Sequence, residues 1–171
     1  MHYIGLVFVN TDHENIDIKL EPFDEQTNNE EYLEWDVYKE IRYQYNPNAK
    51  YDWYIDGGRW NGYIYTKDGH NVNCASFDDI DWSKMFTKVE CSYELFGKEM
   101  TKMVSHHPCS ILDLDNIWRE DESDYLPFDS PEHEKMETEW KKEVEDYIAL
   151  IAGKSEEDRK SILVYAIDFH I

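Results

Sequence analysis

The sequence predicts one α+β domain spanning residues 1–171, with a mostly antiparallel sheet, a central β-meander and two main helices packed on it. Three observations carry that expectation: β-rich apolar runs near both ends, a helical stripe ending at Ile151, and Asp-Gly turns between short aromatic runs in the middle. A split β-α-β or ferredoxin-like arrangement fits the order strand, helix, meander, helix, strand. At 171 residues, 41% hydrophobic and 15% aromatic, the chain is too apolar to stay disordered and fits a single core.

Tyr3 to Val9 is an apolar, β-branched and aromatic run closed by Asn10-Thr11-Asp12, the pattern of a buried strand. Between Asn28 and Tyr45 the positions Tyr32, Leu33, Trp35, Val37, Tyr38 and Ile41 are spaced for an amphipathic helix, stopped by Asn46-Pro47. The meander follows: Tyr51 to Ile55, a turn at Asp56-Gly57-Gly58, Arg59 to Thr66, a turn at Asp68-Gly69, then His70 to Ala75. Phe77 to Pro127 is less regular, with acidic loops expected at Asp78–Asp81 and Glu120–Asp124. Asp129 or Ser130 caps the second helix, Pro131 suits its first turn, Trp140, Val144, Tyr147, Ile148 and Ile151 form its stripe, and Gly153 ends it. A short turn at Ser155 to Lys160 leads into Ile162–Ile171, whose alternation puts Leu163, Tyr165, Ile167, Phe169 and Ile171 on one face. Val164, Ala166, Asp168 and His170 take the other. Both end strands are expected to be central in the sheet.

Against 38 Asp and Glu stand 17 Lys and Arg, a formal charge of −21. Such a field repels phosphate backbones and anionic membranes, so direct nucleic-acid or membrane binding is disfavoured and a basic protein partner is favoured. Cys74, Cys91 and Cys109 are odd in number and form no C-x-x-C, and the start Met1-His2-Tyr3-Ile4-Gly5-Leu6 lacks a basic leader. A reducing cytoplasm is the expected setting. No apolar run approaches the roughly 20 residues that span a bilayer.

The segment with the most chemistry runs from Lys50 to Gly62. On a regular strand, Asp52, Tyr54 and Asp56 share a polar and aromatic face while Tyr51, Trp53 and Ile55 share a core face. Gly57 and Gly58 permit positive φ and close approach of a ligand, Arg59 offers a planar fork for carboxylate or phosphate, and Trp53 or Trp60 offers a stacking surface. The expected ligand-binding set is therefore Lys50, Asp52, Trp53, Tyr54, Gly57, Gly58, Arg59 and Trp60. The competing reading has Asp52 or Asp56 paired with Arg59 across a hairpin and the tryptophans filling core.

Over Asn46 to Gly62 the chain resembles an uncharacterised family of small phage and prophage proteins with the pattern N-P-x-x-K-W-D-W-Y-x-x-G-G-R-W-x-G, departing from it at Tyr51. A second similarity is the ending Ile167-Asp168-Phe169-His170. The resemblance implies a phage-type accessory protein, working in a bacterial host cell, of a class that acts on host defence or metabolism.

Asp168 and His170 share a strand face, where a carboxylate could orient an imidazole, and His2 begins the other expected central strand. His106, His107 and Cys109, with Cys91 or Cys74, match no zinc spacing, so no metal and no cofactor is expected. Two functions lead. One is an inhibitor or modulator that engages a host protein through an acidic surface imitating nucleic acid. The other is a module holding a nucleotide-like anion at Trp53, Arg59 and Trp60. A hydrolase using Asp168 and His170 is the third, and no nucleophile or phosphate-loop signature supports it.

Overall fold

The computed structural model describes residues 1–26, 33–39, 41–44, 46–95, 98–105, 107–127 and 130–171. The strands are β1 (His2–Asn10), β2 (Leu33–Asp36), β3 (Ile41–Gln44), β4 (Trp53–Asp56), β5 (Ile64–Tyr65) and β6 (Asn71–Val72). They continue as β7 (Cys74–Ser76), β8 (Lys88–Leu95), β9 (Lys98–Ser105), β10 (Ser110–Leu112), β11 (Trp118–Glu120) and β12 (Ile162–His170). Among the described residues the helices are α1 (Ile16–Leu20), α2 (Trp82–Met85), α3 (Pro131–Ala152) and α4 (Glu156–Lys160), with short 3-10 turns between. The fold is α+β, and no helix of these is long and apolar enough to cross a membrane.

A mixed six-stranded sheet runs β11-β10-β1-β12-β4, with β7 also on β12. Only the β1–β10 pairing is parallel within it. It follows that β11 and β12 run the same way, so β11, α3 and β12 make a β-α-β unit split by β10 and β1. Both end strands are central, as their composition predicts: β1 and β12 pair antiparallel over nine residues, from His2 opposite His170 to Asn10 opposite Ile162. Their near-continuous apolar character follows from burial on both faces. Ile4, Leu6, Phe8, Val164 and Ala166 enter one core with the α3 residues Trp140, Val144, Ile148 and Ile151, and Val7, Val9, Ile167 and Phe169 enter a second with Leu20 and Tyr51.

The long helix forms as the capping signals predict. Ser130 Oγ accepts from the His133 N–H, Pro131 occupies the first turn, and the Gly153 N–H closes on Ala149 O. Asp129 lies outside the described residues. Ser155 caps α4 in the same manner.

Two expectations are corrected. The helix between Asn28 and Tyr45 is replaced, over the described part, by the antiparallel hairpin β2–β3. Its sequence contains both periods: Leu33-Glu34-Trp35-Asp36 and Ile41-Arg42-Tyr43-Gln44 alternate apolar and polar, and aromatic, β-branched composition favours the strand. A single long helix, not two, therefore stands on the sheet. The meander is also interrupted. β4 and β7 do not pair with intervening strands but lie end to end along one side of β12, both antiparallel to it. Ala166 marks the join: its carbonyl accepts from the Gly57 N–H at 2.9 Å and its N–H donates to Asn73 O at 2.7 Å. Residues 58–73 leave the sheet there, as a 3-10 turn and the small hairpin β5–β6, whose turn at Asp68-Gly69 is the expected one (Gly69 φ +89°).

One buried imidazole is expected to make the fold acid-sensitive. His107 stacks on Phe86, 4.5 Å between centroids, and burial, helped by the Lys141 charge, pushes its pKa from 6.5 down to about 4. The unfolded chain thus takes the proton first, so this contribution is complete above pH 6.5 and is lost as pH falls towards 4. We expect His107→Gln to reduce the wild-type loss of unfolding free energy over that window by about 2 kcal/mol, read from urea titrations at each pH. Parallel pH profiles for the two proteins would contradict the assignment.

Candidate functional site

Beyond the reach of α3, the sheet face that carries the first core continues as two rows of side chains. Cross-strand register places His2, His170 and Trp53 in one row and Ile4, Asp168 and Ile55 in the next. Strand pairing alone therefore gathers two histidines, a tryptophan and a carboxylate from three distant segments. Trp53 and Ile55 are 40% and 49% exposed.

A local irregularity adds a second carboxylate. The Asp52 N–H bonds His170 O at 2.9 Å, while Trp53 is the register partner of His170, so two residues stand opposite one. Such a bulge turns both side chains to one face. It also corrects the face assignment made from strict alternation: Asp52, Trp53 and Ile55 belong to the histidine face, and Tyr51 and Tyr54 pack on the second core.

The polar contacts form two carboxylate–imidazole pairs. His2 Nδ1 lies 2.9 Å from Asp168 Oδ1, and His170 Nδ1 lies 2.8 Å from Asp52 Oδ1. Asp168 and His170 share a face as expected, but Asp168 holds His2 and not His170. The His2 and His170 rings meet edge-on at 4.8 Å, and Trp53 stacks on His170 at 4.8 Å and 13°. Asp168 is 1% exposed, and its second oxygen accepts the Arg59 N–H at 2.9 Å. Asp52 is the more open carboxylate. Desolvation would raise its pKa, but the hydrogen bond and charge of His170 outweigh this and hold it below the ordinary value.

The glycine pair serves this packing. Gly57 and Gly58 have φ of +69° and +46°, and a Cβ on Gly58 would stand 2.4 Å from Asp168 Oδ2. A Cβ on Gly57 would strike the Asn73 side chain at 2.2 Å. Both glycines thus let backbone approach the protein's own polar groups. The chain turns so tightly that Arg59, one residue later, emerges beside the buried pair. Its side chain is exposed and its guanidinium has no carboxylate partner among the described residues, so the cross-hairpin ion pair with Asp52 or Asp56 does not form.

The remaining expected ligand residues divide. Trp60 is half-buried against the first core. Tyr54 donates its hydroxyl to Asp17 Oδ1 at 2.6 Å, and burial together with that bond pushes its pKa up to about 12. Lys50 pairs with Glu120 at 3.1 Å and lines a groove of about 680 Å³ together with Tyr3, Asp52 and Tyr125. Tyr54 and Trp60 therefore turn to other partners, while Lys50 shares the groove with Asp52. His106 and the Cys91 side chain lie outside the described residues, and Cys74 and Cys109 form no disulfide among the described residues. Among the described residues no group of three or more His, Cys, Asp or Glu side chains is placed to hold a metal ion.

Asp52 as the partner of His170 and Asn73 beneath Gly57 are not visible in the sequence. Partners 118 positions apart leave no spacing signal. Comparison of the chain with protein-family models, with curated proteins and with solved structures finds no match in any of the three.

Proposed function

We propose that this chain is a phage-type accessory protein that binds a planar, anionic, nucleotide-like small molecule on the face carrying Trp53, His2, His170 and Arg59. The supporting observation is an exposed indole on β4 and, six residues on, an exposed arginine left without a carboxylate among the described residues. In a chain with 38 acidic residues, cations find partners readily: Arg119 holds Asp113 and Glu143, and Arg159 holds Asp78. Arg59 stays open among the described residues, and Trp53 is stiffened by stacking on its register partner His170. Aromatic stacking contributes about 1–3 kcal/mol per base, and a guanidinium meets phosphate oxygens as a bidentate donor.

The −21 charge supports a second reading, in which the acidic surface engages a basic host protein inside the bacterial cell and inhibits or modulates it. One comparison separates the two. For the ligand reading, thermal unfolding against a nucleotide panel should shift upward, because a ligand at 100 times its Kd adds about 2.7 kcal/mol. Arg59→Ala combined with Trp53→Ala should abolish the shift while leaving any salt-sensitive capture of host protein intact. No shift with millimolar nucleotides would defeat the ligand reading, and capture insensitive to salt would defeat the second.

A further inference from the structure

We infer that the two carboxylate–imidazole pairs make this site hydrolytic, with His2 and His170 acting as the base and acid that cleave a phosphodiester in the bound molecule. The inference rests on the reading of Trp53 and Arg59 as the ligand's seat. It goes further, because a seat needs an indole, a cation and the stacking of His170, but none of these requires a carboxylate on each imidazole.

Three features point to proton transfer. Each imidazole has its Nδ1 on a carboxylate, at 2.9 and 2.8 Å, which fixes Nδ1 as the donor and makes Nε2 the atom that exchanges protons; on His170 that Nε2 faces the Met1 nitrogen at 3.5 Å, which the bound molecule must displace. Asp168 can hold His2 firmly because it is buried and anchored by the Arg59 amide. The two rings meet edge-on, 4.8 Å apart at 74°, so both imidazoles border one point of the face. Among the described residues neither imidazole hydrogen-bonds a Ser, Thr or Cys side chain, since their polar contacts there are Asp168, Asp52 and the Met1 nitrogen. Water is therefore the nucleophile. The guanidinium of Arg59, on the residue whose amide holds Asp168, supplies the charge for the phosphoryl oxygens.

In the step, a water oxygen bonds to phosphorus while His2 Nε2 takes one of its protons. The bond from phosphorus to the leaving ester oxygen breaks, and protonated His170 gives that oxygen its proton. One water is consumed, a phosphodiester becomes a phosphomonoester and an alcohol, and solvent returns the two imidazoles to their starting states.

The test uses the full chain with 3′,5′-cyclic AMP, cyclic di-AMP and bis(p-nitrophenyl) phosphate, following binding by thermal shift and cleavage by chromatography or absorbance. Turnover with a bell-shaped pH profile, unaffected by EDTA, is expected. His2→Asn keeps an amide where Nδ1 meets Asp168 but removes Nε2, and His170→Asn does the same opposite Asp52. Each should lower kcat about 10²- to 10⁴-fold with KM little changed, His2→Asn losing the acid limb of the profile and His170→Asn the alkaline limb. Ligand binding in either variant reports a folded site. Binding that needs Arg59 but comes without cleavage, or cleavage that survives both substitutions, would overturn the inference and leave the ligand reading standing. Absence of binding by all three probes would remove both.

Discussion

Gly58→Ala is expected to lower the unfolding free energy by about 3 kcal/mol. Roughly 1 kcal/mol follows from placing an L side chain in the left-handed region, and about 2 kcal/mol from forcing atoms apart in a packed site. The steric part is unusually specific. The new Cβ would meet Asp168 Oδ2 at 2.4 Å and the Asp168 Cβ at 2.5 Å, and this carboxylate cannot retreat without releasing His2 and the Arg59 amide. Gly69→Ala provides the internal standard: its φ is +89° but nothing lies within 4 Å of the added Cβ, so only the conformational loss of about 1 kcal/mol is expected. Chemical denaturation of the two variants compares them directly. Equal losses would mean that the Gly58 contact with Asp168 carries no weight.

Asp168→Ala should be nearly as damaging, at about 3 kcal/mol. The residue is almost fully buried, and truncation leaves the Arg59 N–H and the His2 Nδ1 without their acceptor, each orphaned donor costing about 1–3 kcal/mol. Asp168→Asn preserves the shape and one acceptor, so a loss of about 1 kcal/mol is expected, together with a reoriented His2 ring. Two-dimensional NMR of the imidazole protons would separate the cases: wild type should show a His2 Nδ1 proton protected from exchange, and both variants should lose that protection. A stable Asp168→Ala protein with unchanged His2 resonances would refute the arrangement.

The legible parts of the fold are those where local signals and tertiary packing agree. β1 and β12 are readable because burial on both faces demands long apolar runs, and α3 because Ser130, Pro131 and Gly153 mark its ends around one clear stripe. The segment from 33 to 44 is misread because short amphipathic runs satisfy both a helical and an extended period, and only pairing between Leu33–Asp36 and Ile41–Gln44 decides it. Asp-Gly signals a turn but not its use: at residues 68–69 it closes a hairpin, while at 56–58 it carries the chain off the sheet.

The site was half visible. Trp53, Arg59, Asp168 and His170 stand out by residue type, and Arg59 is indeed left open. The exchange of partners was hidden, because a single bulge at Asp52–Trp53 inverts the alternation from which faces are assigned. His2 was visible only as a neighbour, since its bond to Asp168 depends on the register of a strand pair formed across the whole chain.

That strand pair has a kinetic meaning. His2 and Asp168 are 166 positions apart, so zipping β1 onto β12 closes a loop of nearly the entire polypeptide, an entropic barrier that local turns and α3 cannot lower. Chains dominated by such distant partners fold in milliseconds to seconds, not microseconds. The histidines, the indole and the carboxylates thus meet only once that pairing has formed.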